Sequence, residues 1–80
     1  MEDWKEGKYK RVYNATVDYV ESRRNDDSDF TIEELEQMLE AKYLNEGTGN
    51  RSEIDQLMLD ATIAALQACL VNWKKEKGLL

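Results

Sequence analysis

The stretch from Ile54 to Trp73 constrains this chain more than any other: 14 of its 20 residues are apolar, and the polar ones recur at helical intervals. A surface helix normally carries an apolar stripe a little over 100° wide and gives the rest to water. Here Glu53, Gln56, Asp60, Gln67 and Lys74 fall on one narrow line. Around that line run two apolar seams. The first is Ile54, Leu57, Met58, Ala61, Ala65 and Ala68; the second is Leu59, Ile63, Leu66, Leu70 and Trp73. A helix of this kind has to be packed on two sides. Gln56, Asp60 and Gln67 interrupt the stretch and argue against a lipid environment. The expected place for it is the centre of a helical bundle in water.

The rest of the chain supplies two partner helices, separated by polar breaks at Asn25–Asp29 and Asn45–Asn50. Tyr9, Tyr13, Thr16, Val17 and Val20 follow the spacing of one helical face and predict a first helix over residues 3–24. Thr31 and Glu34 form a T-x-x-E capping box flanked by Phe30 and Leu35 at the positions of a hydrophobic staple. They start a second helix that ends near Asn45, with Leu35, Met38, Leu39, Lys42 and Tyr43 as its inner stripe. Asn50 or Ser52 caps the third helix, which continues to Lys77, where Gly78 offers a left-handed terminator. The expectation is one all-α domain over residues 1–80. It is a three-helix, bundle-like fold with antiparallel neighbours, a short second helix and a long, largely apolar third.

Composition removes several function classes. With no histidine, no proline and one cysteine, Cys/His zinc sites, His-activated nucleophiles and a disulfide framework all lack their parts. The leading residues MEDWKEGKYK contain no apolar core of a signal peptide, and the lone cysteine suits a reducing compartment, so the expected location is the cytoplasm. Glu33, Glu36 and Glu40 share a face opposite Leu35 and Leu39, which reads as a solvated surface rather than acid–base machinery. NEGTGN has two glycines but no lysine to meet a phosphate. Cys69 lies in the apolar part of the third helix, with nothing nearby in sequence to activate it. No enzyme and no cofactor are expected.

Three binding readings compete. Taking Asn25 as position 1, Asp27, Asp29 and Glu36 fall at positions 3, 5 and 12 of an EF-hand-like loop over residues 25–36, a calcium-binding helix–loop–helix. Phe30 stands where that loop needs glycine for its sharp turn, which favours a simple acidic turn into a capped helix. Nucleic acid is suggested by Tyr9 and Tyr13 among Lys5, Lys8, Lys10 and Arg11, but the net charge of -6 opposes direct binding. Eight acids against two arginines in residues 21–40 raise an acidic inhibitor or mimic acting on a nucleic-acid-binding protein. The third reading is a protein–protein interaction module that self-associates, and helix length carries it. At 1.5 Å per residue the three helices span about 33, 21 and 39 Å. The short second helix cannot cover both neighbours, and if the third overshoots at its C-terminal end, Leu66, Cys69, Leu70 and Trp73 are left uncovered. Trp4 and Tyr9 lack a partner at the other end. The expectation is a homodimer through those six residues, with room for an outside protein partner; the alternative is a third helix that buries Trp73 within one chain.

Overall fold

A computed structural model of the chain describes residues 3–46 and 52–79. It contains helices α1 (Asp3–Asp26), α2 (Ile32–Glu46) and α3 (Glu53–Glu76), and no strand among the described residues. The all-α, three-helix class read from the sequence is the class observed. Interhelix ion pairs fix the directions. Lys5 meets Glu53 at one end of the molecule, and Arg24 meets Glu76 at 2.9 Å at the other, so α1 and α3 run parallel. Lys74 reaches Glu36 at 3.0 Å and Gln67 donates to the Tyr43 hydroxyl, so α2 runs the opposite way between them in sequence. Both outer helices pack on α3, and among the described residues their backbones do not approach each other.

The two seams of α3 divide between these partners. Leu57 lies beside Tyr9 and Tyr13, and Ala68 beside Val17 and Val20, with Ala61 and Ala65 fully buried along the same face. Alanine has no side chain beyond Cβ, which lets the α1 and α3 backbones come close. On the other seam Ile63, Leu66 and Trp73 join Phe30, Leu35 and Leu39 in the core, with Leu59 and Leu70 packed against its edge.

The helix ends follow from local chemistry. Ser52 is the α3 N-cap, its hydroxyl accepting from the Asp55 amide at 3.2 Å; the rival cap, Asn50, lies outside the described residues. At the other end Gly78 takes φ +74, the Gly78 amide donates to the Lys75 carbonyl and the Leu79 amide to Lys74, which is a Schellman stop. Thr31 accepts from the Glu34 amide at 3.3 Å, and Phe30 and Leu35 are both buried, as the staple requires. Only half of the capping box forms, because the Glu34 carboxylate turns to Arg23 at 3.7 Å. Two further details depart from the sequence reading. α1 runs on through Asn25 and Asp26, since Arg23 and Arg24 in its last turn suit the negative end of the helix dipole. Tyr43 is 44% exposed instead of inside, its hydroxyl held by Gln67 at the surface.

The overshoot of α3 falls at the end opposite to the one expected. With Glu36 level with Lys74 and Tyr43 level with Gln67, α2 covers the C-terminal half of α3. Phe30 sets this register: its ring packs against Trp73 with centroids 5.7 Å apart, and the short Asp27–Thr31 turn holds it there. Trp73 is therefore 7% exposed and Leu66 1%, inside a single chain, and α3 needs no break to achieve it. Among the described residues, α2 ends before the level of the first turns of α3.

Candidate interaction surface

The six residues expected to form a contact do not share a surface. Leu66 and Trp73 belong to the core. Cys69 and Leu70 are half-buried against it, and Tyr9 is half-buried with its ring stacked on Tyr13 at 6.5 Å. Trp4 alone stands clear, 53% exposed. The reason is the register described above, which α2 takes from Phe30 and which length arithmetic does not contain.

Exposed apolar side chains occur instead near the helix ends. Of the eight large hydrophobics exposed among the described residues, three lie at the pole where α1 and α3 begin, Trp4, Ile54 and Met58, while Tyr43 and Leu44, at the end of α2, stand level with the middle of α3. Leu44 is 68% exposed, and Ile54 and Met58 are 37% and 38%. Since Tyr43 is level with Gln67, α2 stops about 16 Å short of the start of α3 at 1.5 Å per residue. Between α1 and α2 a groove opens, walled by Val12, Tyr19, Met38 and Lys42, with Thr62 and Leu66 on its floor. Met58 and Ile54 continue that line at four-residue intervals toward the start of α3. α3 is long and apolar enough to cross a bilayer by length and composition, yet only 22% of its most apolar window is buried within the chain.

The opposite pole is closed by two adjacent arginines that sequence reasoning passed over. Arg24 makes a bidentate pair with Glu76, at 2.9 and 3.2 Å, while its guanidinium lies 4.4 Å from the centre of the Trp73 ring. Arg23 sits 4.5 Å from the Phe30 ring, donates to the Tyr19 hydroxyl at 2.8 Å and pairs with Asp27 at 3.1 Å. One arginine thus ties α1 to α2 and the next ties it to α3, each across an aromatic face. The hydrogen bond from Arg24 holds the Glu76 carboxyl below the usual carboxylate range, and the same bond raises Arg24. The signal available in the sequence was the Arg23-Arg24 pair standing alone among eight acids.

The remaining candidate sites come apart in three dimensions. Asn25 is within α1; the Asp27 carboxylate accepts from the Asp29 amide at 3.0 Å and from Arg23, and Glu36 is spent on Lys74. Phe30 is a core residue with no positive φ, so the EF-hand spacing does not become an EF-hand loop. Among the described residues no three His, Cys, Asp or Glu side chains gather as metal ligands. Of the eight acids in residues 21–40, Asp27, Glu34 and Glu36 are neutralised by ion pairs; Glu21, Asp26, Asp29, Glu33 and Glu40 remain exposed. Burial pushes the Cys69 thiol up, with Glu21 adding to the shift, the reverse of what a reactive thiolate needs. Comparison with protein-family models, curated proteins and solved structures gave no match to this chain.

Proposed function

We propose that this chain is a self-associating protein–protein interaction module, and that its contact surface is the apolar pole of the bundle. The observation that carries the reading is the exposure of Trp4, Ile54 and Met58 at the pole where α1 and α3 begin, with Tyr43 and Leu44 also exposed at the end of α2. Scattered apolar residues are ordinary on a soluble surface, but a concentration of large ones marks an interface. A two-fold dimer is the simplest closed arrangement that covers such a patch. The placement is aqueous, and the cytoplasm suits it: α3 carries Asp60 and Gln67 on its outward line and is flanked by helices on two sides, while a single high-pKa thiol suits a reducing compartment. A net charge of -6 supports a protein partner over direct contact with nucleic acid. Sedimentation equilibrium at micromolar concentration tests the reading. A mass twice the 9.3 kDa of one chain supports it, and a mass of 9.3 kDa that persists at millimolar concentration rejects it.

A further inference from the structure

We infer that the cleft between the C-terminal halves of α1 and α3 binds a small organic cation, a protonated amine carried on an apolar body. The cleft encloses about 500 Å³, which is within the range of small-molecule sites. Val17 and Val20 from α1 and Ala68 from α3 give it a hydrocarbon lining, with Cys69 beside them and Tyr13 at the end nearer the start of α1. Every residue of that lining belongs to these two helices. Trp4, Ile54 and Met58 stand at the opposite end of the same helices, so the cleft is separate from the contact proposed between copies. A ligand there is independent of whether the chain self-associates.

The polar groups on the lining set the charge of the ligand. Arg24 and Glu76 close one end of the cleft, but they neutralise each other in a bidentate pair, and the Arg24 guanidinium lies on the Trp73 ring. The third charged group on the lining is Glu21, whose carboxylate makes no ion pair or hydrogen bond with the described residues. Its field reaches the floor: burial raises the Cys69 thiol, and Glu21 raises it further. The carboxamides of Asn14 and Asn72, one on each helix, and the Tyr13 hydroxyl also make no hydrogen bond with the described residues. The cleft thus combines one unneutralised negative charge, free acceptors from both walls and a hydrocarbon floor. An ammonium group brings three donors to those acceptors, while an apolar body attached to it covers Val17 and Ala68. An anion in the same place would meet Glu21 with no free cation on the lining to offset it. The net charge of -6 also concentrates cations around the chain as a whole.

Titration of the ¹⁵N-labelled full chain with phenethylamine, followed by ¹H–¹⁵N correlation spectra, tests the site. The side-chain amide signals of Asn14 and Asn72 and the backbone signals of Val17 and Ala68 should shift together and saturate. A ligand of so few atoms should show a dissociation constant of roughly 1 mM. Phenethyl alcohol has the same body without the charge and should bind about tenfold more weakly. Glu21→Gln should weaken phenethylamine by about tenfold and leave phenethyl alcohol unchanged, a split that a general disturbance of the cleft would not produce. Glu21 is exposed, so this variant should keep the wild-type melting curve. Glu40→Gln, an exposed acid on α2 outside the cleft, should bind both probes as wild type does. Shifts that never saturate, or that spread evenly over exposed acids such as Glu33 and Glu40, overturn the site. Saturating shifts that are equal for amine and alcohol, or that Glu21→Gln leaves unaltered, overturn the assignment to a cation.

Discussion

Trp73→Ala separates a core tryptophan from an interface tryptophan. Trp73 is 7% exposed, packs its ring at a tilt against Phe30 and carries the Arg24 guanidinium on its face. Burying an indole removes roughly 150–250 Å² from water, and truncating one in a core typically costs about 3–5 kcal/mol once the cavity is included. An 80-residue domain has a total stability of only about 4–12 kcal/mol. At about 4–8 °C per kcal/mol for a domain of this size, the substitution should lower the melting temperature by roughly 15–30 °C. Far-ultraviolet circular dichroism reads the melt, and sedimentation velocity on the same samples reads the mass. Trp73→Phe, which keeps an aromatic face for Phe30 and Arg24, should recover a large part of the loss. If Trp73→Ala instead melts within a few degrees of wild type while the mass falls from dimer to monomer, Trp73 lies in a contact between chains and the register of α2 described above is wrong.

Other substitutions probe the supports of each helix. Thr31→Ala removes the hydroxyl that accepts from the Glu34 amide and should cost about 1 kcal/mol, a drop of about 4–8 °C read by thermal melting. Ala65→Leu has no room beside α1 and should destabilise by about 1–3 kcal/mol, whereas Asp60→Ala, whose carboxylate only accepts from Gln56 at the surface, should be almost silent in the same denaturant titration. Glu76 is held below its ordinary range by Arg24, so its contribution is present above the unfolded carboxylate range and disappears as pH falls through the lowered folded value. Melting temperatures from pH 6 to pH 3 should fall less steeply in Glu76→Gln than in wild type; equal slopes would show that the Arg24–Glu76 pair adds nothing.

The sequence showed the elements clearly and their register poorly. The double seam of α3, the Thr31 cap with its Phe30–Leu35 staple and the Gly78 stop are all local patterns with local causes, and each stands in the structure as the residues imply. The interface reading failed at Leu66 and Trp73 because it depended on where α2 lies along α3. That position is decided by the nonlocal meeting of Phe30 with Trp73, and by Arg23 and Arg24 stacking on those same rings. Neither contact leaves a periodic trace. The acidic run was misleading in a similar way: Asp27 and Glu36 have ligand spacing along the chain, but helical geometry sends one to Arg23 and the other to Lys74. The shortness of α2, by contrast, was legible from its caps, and the part of α3 that it fails to reach is the N-terminal one, not the C-terminal one.

The central claim is that the first turns of α3 form the contact between copies, and the methionine methyls report on it most directly. Met58 is 38% exposed near the start of α3, whereas Met38 is half-buried against the core of its own chain. With ¹³C-labelled methionine methyls, the Met58 resonance should move progressively as the protein is diluted through its dissociation constant, while the Met38 resonance keeps its position. A Met58 resonance that stays fixed from millimolar to low micromolar concentration, over a range in which sedimentation shows the mass halving, would place the contact elsewhere on the bundle.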